Sequence, residues 1–130
     1  MLVKVKDNLN LVSTSEYPKY AVFNFEKFNP VQSRIFDFFH EDCNAVVASA
    51  TSSGKTVVSE MFAAHRIRVE NKKVVYMAPM KALATEKYND WTSDKHHFSD
   101  LKISICTGDY RLTDARKKRN KSSKYNYIDI

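Results

Sequence analysis

S-A-T-S-S-G-K-T, residues 49–56, follows directly on the apolar run A-V-V-A at 45–48. A short continuous run, β-branched in part, predicts a strand over 45–49 covered on both faces. After the loop, Val57, Val58, Met61, Phe62, His65 and Val69 recur at helical spacing. Strand, loop ending Gly-Lys-Thr, then helix is the order in which a chain cradles phosphates. Main-chain N–H groups and the positive end of the helix dipole attract the anion, Lys55 reaches the outer phosphates, and the Thr56 hydroxyl can ligate Mg²⁺. The general pattern G-x-x-x-x-G-K-[ST] has two glycines, and here Ser49 stands at the first, leaving only Gly54. A chance Gly-Lys-Thr would leave Lys55 solvated and Thr56 facing water; the ordered context favours nucleotide binding.

Working outward, Asn29 is a reasonable cap and Pro30 a first-turn residue for a helix over about 30–40, with Val31, Ile35, Phe38 and Phe39 on one face. K-V-V-Y-M-A at 73–78 repeats the buried-strand pattern, and Met80, Leu83, Ala84, Tyr88 and Trp91 repeat the helical one, making a second β-α unit. Residues 92–100 form a polar loop, 101–106 a third strand broken by Thr107-Gly108-Asp109, and a short helix is expected from about Thr113. Residues 125–130 begin another strand. Residues 1–20 alternate weakly, and Asp7-Asn8 is placed to turn a hairpin into 9–12. The division expected is an N-terminal extension over 1–24 and an incomplete nucleotide-binding domain over 25–130. Alternating strands and helices call for an α/β fold with a parallel sheet and flanking helices.

A chain of 130 residues fits one modest domain, able to bury roughly two-thirds of its unfolded surface. Only 2 glycines and 3 prolines argue against low complexity. The net charge of +6 makes polyanionic partners plausible without specifying one. Cys43 and Cys106 lack metal-ligand spacing and read as packing residues in a reducing compartment. No apolar run approaches the ~20 residues that cross a bilayer, so the expected location is intracellular, cytoplasmic or nuclear. His96-His97 read as surface residues of a polar loop rather than a metal site. Trp91 and Tyr88 read as core rather than as base-stacking residues, and the basic run 116–124 reads first as a solvated loop.

Four stretches taken in order, F-N-P-V-Q at 28–32, A-T-S-S-G-K-T at 50–56, A-P-M-K-A-L-A at 78–84 with E-K-Y at 86–88, and T-G-D-Y at 107–110, resemble the first RecA-like domain of superfamily 2 DExH-box helicases, in particular their Ski-like branch. The resemblance covers about residues 25–128. It implies a RecA-like parallel sheet of the P-loop NTPase class, incomplete in this sequence. It implies Gln32 as the glutamine that reads adenine and Phe28 beside the base. A side-chain amide offers donor and acceptor together, which suits the adenine edge and favours ATP; the less favoured, plainer reading is Gln32 capping its own helix. It further implies Thr51, Ser52, Ser53, Gly54, Lys55 and Thr56 around the phosphates of ATP, with Thr56 on Mg²⁺ and Lys55 and Thr56 as the catalytic pair. Pro79, Lys81 and Ala82, with Thr107, Gly108 and Asp109, match the segments that grip a single RNA or DNA strand. A solvated Lys81 and a plain turn at 107–109 are the rival readings.

Phosphoryl transfer to water needs an acidic residue on the metal and a group to orient the water. The family supplies them in a D-E-x-H run and draws arginines from a second RecA-like domain; no D-E-x-H run occurs in residues 1–130. Asp129, at the end of Y-N-Y-I-D, is the one rival metal ligand. The sequence is therefore expected to be the amino-terminal piece of an ATP-driven translocase, needing its C-terminal part to hydrolyse ATP and prone to self-association if its terminal strand leaves a sheet edge unpaired. Two other functions fit less: a small-molecule kinase on the same loop, or a non-enzymatic basic module binding nucleic acid.

Overall fold

The computed structural model describes residues 10–17, 23–39, 41–107 and 127–130. They fall into two compact units, Met1–His65 and Arg66–Ile130, here units 1 and 2.

In unit 1, helix α1 spans Pro30–Ile35 and tightens into a 3₁₀ turn over Phe36–Phe38. Its start is built by a capping box: Asn29 Oδ1 accepts from the Gln32 amide at 2.9 Å, and Gln32 Oε1 accepts from the Asn29 amide at 3.0 Å. Two otherwise orphaned donors are thereby satisfied. The face behind the cap closes a core of Phe28, Ile35, Phe39, Val58 and Met61. Ring edges fill it, Phe28 meeting Phe36 at 5.1 Å and Phe36 meeting Phe39 at 5.0 Å.

Residues 12–14 pair with 26–28: the Thr14 amide donates to Glu26 O at 3.0 Å, the Phe28 amide to Val12 O at 2.9 Å, and Ser13 bridges Lys27 antiparallel. The hairpin expected at Asp7-Asn8 lies outside the described residues.

Residues 45–49 do not form the expected strand. They are irregular, and Val46 is 95% exposed. A buried strand is defined by ladders on its flanks, and no ladder to this run exists among the described residues. Four apolar side chains without a ladder cannot keep both faces covered, and only Val47 reaches the unit 1 core. Helix α2 then runs over Lys55–Arg68, with the boundary between units inside it.

In unit 2, α2 ends where Asn71 turns left-handed at φ 54° and the Lys72 amide closes on Arg66 O at 2.8 Å. Asparagine tolerates this conformation better than most residues. The Arg66 guanidinium, then Lys72, hold the Glu70 carboxyl low, to about 2. Strand β1 is Val74–Val75, α3 is Lys81–Trp91, β2 is Lys102–Ser104 and β3 is Tyr127–Asp129.

The sheet is parallel with order β1-β3-β2, Val74 opposite Ile128 and Ile103 also opposite Ile128. The terminal strand is therefore the centre of the sheet and not an edge. Crossover connections allow a later strand to enter between earlier ones, so the chain's last strand need not be outermost. Among the described residues the edges are β1 and β2, and Val75 on β1 is 67% exposed.

Trp91, Phe98 and Ile128 are each 0% exposed and anchor this unit with Ile67, Ala84 and Ile130. Cys43 and Cys106 are both exposed, against the packing role expected of them. Cys43 lies in the irregular run before the phosphate loop. Cys106 lies past the end of β2, where its amide joins the ladder by donating to Ile130 O at 2.6 Å while the thiol faces out. The short helix expected from Thr113 and the basic run 116–124 lie outside the described residues.

His96 and His97 are half-buried, not surface residues. Their rings lie 4.0 Å apart, and His97 packs edge-on to Phe98 at 4.4 Å. The apolar companions of this loop, Trp91 and Phe98, draw it inward.

Burial lowers the His97 pKa to about 4, aided by His96 and Arg68 and opposed by Asp90 and Asp100; burial lowers His96 too, opposed by Asp90. The folded unit thus favours neutral imidazoles, and the unfolded chain binds more protons between the two pKa values. Stability contributed by His97 is present above about pH 6.5 and is lost as pH falls toward about 4. Thermal melts across that range should show the decline, and His97→Gln should flatten it; a slope unchanged by His97→Gln would refute the assignment.

Candidate functional site

The phosphate loop of unit 1 is held by side chains acting on its carbonyls. Ser49 and Ser53 share a hydroxyl–hydroxyl bond, so the serine at the first glycine position ties the two ends of the loop together. Within it, the Ser53 amide donates to Ala50 O at 3.3 Å, and Ser52 takes φ 62°. Lys55 Nζ folds back onto Ser49 O at 2.8 Å and Ala50 O at 2.6 Å. From the capping box of α1, Asn29 Nδ2 donates to Ser53 O at 2.9 Å and Gln32 Nε2 to Gly54 O at 3.3 Å.

Gly54 adopts φ 79°, and a Cβ there would fall 2.3 Å from Gln32 Nε2 and 3.2 Å from Asn29 Nδ2. This is the one position in the loop where the absence of a side chain is required twice, by backbone conformation and by close approach. Carbonyls at 49, 50, 53 and 54 are all turned onto side-chain donors. The first-turn amides of α2 have no intrahelical acceptor and carry the positive end of its dipole. A ring of amides with one ammonium is a receptor for a polyanion.

Among the expected contacts, Thr51, Ser52, Lys55 and Thr56 are exposed, and Ser53 and Gly54 half-buried. The Thr56 carbonyl accepts from Ser59 Oγ at 2.7 Å, while its own side chain is open to a ligand. Gln32 is 5% exposed, and the capping role weighed as its plainer reading is present. Each atom of its amide retains one unused hydrogen-bonding position. Phe28 is a correction: it is 1% exposed, met edge-on by Phe23, Phe25 and Phe36, and spends its ring on the core rather than offering a face to a base. It sits one residue before the cap, where burying it fixes the entry of α1.

In unit 2, Pro79, Lys81 and Ala82 lie together and exposed at the start of α3. Its cap residue, Met80, offers no side-chain hydrogen bond. Thr107 is half-buried; Gly108 and Asp109 lie outside the described residues. Asp129 stands in the central strand beside Val75 and Ser104.

Sequence reasoning read Asn29 only as a cap and missed its reach to Ser53. An Asn-Pro pair signals a helix start, and nothing local to it signals a contact far along the chain. The Ser49 hydroxyl was likewise read as a missing glycine rather than as a tie.

Residues 29–130 match the family model described as DEAD/DEAH box helicase. The chain is 43% identical over 94 residues to activating signal cointegrator 1 complex subunit 3 of Rattus norvegicus, covering 68% of this chain and 4% of that protein. It is 35% identical over 113 residues to the protein of the same name in Dictyostelium discoideum, covering 79% of this chain and 5% of that one. It is 38% identical over 91 residues to the RQC trigger complex helicase SLH1 of Saccharomyces cerevisiae, covering 68% and 5%. The chain thus spans about a twentieth of the length of these relatives. No helix among the described residues is long and apolar enough to cross a membrane.

Proposed function

The chain belongs to the DEAD/DEAH box helicase family, and from that premise we propose that it carries the ATP-holding part of a nucleic-acid helicase or translocase, with its described elements belonging to a RecA-like sheet and its flanking helices. ATP docks on the phosphate loop of unit 1. Amides at the start of α2 face the phosphates, Lys55 exchanges its bonds to Ser49 and Ala50 for phosphate oxygens, and the spare donor and acceptor of Gln32 meet the adenine edge. Thr56 is the residue placed to hold Mg²⁺, which when bound neutralises phosphate charge. Thr51, Ser52 and Ser53 complete the loop. The strand of RNA or DNA runs over Pro79, Lys81 and Ala82, with Thr107, Gly108 and Asp109 as further contacts.

One observation carries the reading: a left-handed Gly54 at φ 79° whose flanking carbonyls are clamped away from the face where an anion would sit. With no D-E-x-H run in its sequence, the 130-residue chain is proposed to bind ATP and leave it intact. The exposed edge at β1 is a candidate surface for self-association or for further chain of the same helicase.

Titration calorimetry with Mg–ATP tests the proposal. Wild-type chain should release binding heat, Lys55→Ala should weaken affinity by roughly 10- to 100-fold, since a charge-assisted bond is worth about 1.5–3 kcal/mol, and phosphate release should stay at background. Equal affinity of the two proteins, or no heat from the wild type, overturns it.

A further inference from the structure

The cap of α1 does more than start a helix. The Asn29 carboxamide splits its two atoms between two tasks, Oδ1 accepting from the Gln32 amide at 2.9 Å and Nδ2 donating to Ser53 O at 2.9 Å. Its capping partner Gln32 does the same for the next carbonyl, Gly54 O, at 3.3 Å. A trans peptide is planar, with its C=O and the following N–H pointing in opposite directions. Fixing the Ser53 carbonyl against Asn29 therefore aims the Gly54 N–H the other way, and fixing the Gly54 carbonyl against Gln32 aims the Lys55 N–H likewise. A loop of small and hydroxylated residues would otherwise sample many peptide orientations, each costing entropy to select on binding.

We propose that Asn29 is a positioning residue for polyphosphate binding, aiming the Gly54 amide by holding the Ser53 carbonyl, in addition to capping α1. The proposal rests on the nucleotide reading of the loop and adds a residue outside it. It separates cap from aim. Aspartate and serine cap helices about as well as asparagine, so Asn29→Asp and Asn29→Ser keep the first task. Neither can donate to Ser53 O as Asn29 does: aspartate is acceptor-only, and serine is shorter.

The test uses the full chain with Mg–ATP and with adenosine, together with amide hydrogen exchange of the free protein at Ser53, whose amide closes the loop on Ala50 O, and at Ser33, whose amide bonds Asn29 O within α1. Both variants should lose about three- to ten-fold in ATP affinity, the size of one net hydrogen bond. They should exchange faster at Ser53, keep wild-type exchange at Ser33, and leave any adenosine affinity unchanged. Equal ATP affinity in Asn29→Ser and wild type overturns the proposal, including the case where only Asn29→Asp is weakened, because that is charge repulsion alone. Faster exchange at Ser33 in step with Ser53 also overturns it, because Asn29 is then merely a cap. Absence of ATP binding in the wild type would refute the nucleotide reading instead, and exchange at Ser53 would still decide whether Asn29 holds the loop.

Discussion

Trp91→Ala lowers the unfolding free energy of unit 2 by about 3–5 kcal/mol, the range for emptying a large buried aromatic site. Trp91 is 0% exposed, meets Tyr76 edge-on at 5.0 Å and Phe98 at 5.3 Å, and closes α3 against the residues that follow it. A small unit has little alternative packing to fall back on, and domains of this size hold only about 5–15 kcal/mol in total. Removing the indole strands two ring edges and opens a cavity that a three-residue strand cannot collapse to fill. Urea unfolding followed by far-ultraviolet circular dichroism reads the loss directly. A shift below about 1 kcal/mol would mean that the indole is not the centre of this core.

The second large effect is on ligand affinity. Gly54→Ala places a methyl in a left-handed conformation, at about 1–2 kcal/mol, and sets it 2.3 Å from Gln32 Nε2. Gln32 cannot simply swing aside, because its carbonyl oxygen is engaged by the Asn29 amide at 3.0 Å. Either the capping box opens or the loop changes shape, and overpacking of this kind costs about 1–3 kcal/mol. Taken together, about 2–5 kcal/mol should appear as a roughly 30- to 4,000-fold weaker Kd for Mg–ATP. Calorimetry of the variant against wild type measures it. Binding within threefold of wild type would show that the left-handed turn at Gly54 does not shape the binding face.

Helices were the readable part of this chain. Pro30 after Asn29, and the apolar spacing through Met61 and through Trp91, report local geometry that neighbours do not have to supply; α2 and α3 stand where those signals put them, and α1 starts there but ends at Ile35, short of the expected 40. Strands depend on partners elsewhere in the chain, so A-V-V-A at 45–48 and V-V-Y-M at 74–77 carried the right residue types without fixing their environment. One remained irregular, and the other is a two-residue strand with an exposed Met77. The site divides in the same way. The left-handed turn at Gly54 and the helix start at Lys55 were legible because Gly-Lys-Thr is contiguous in the sequence. Burial of Phe28 and the reach of Asn29 depend on which surfaces meet, which no spacing encodes.

Placement of β3 between β1 and β2 has a kinetic consequence. Among the described residues the two outer strands share no ladder with each other, only with a segment that follows both. Their ladders wait for residues far along the chain, Val74 for Ile128 and Ile103 for Ile128, and such non-local pairing makes assembly slow. Shortening the connection into that segment should therefore accelerate refolding more than strengthening either outer strand would.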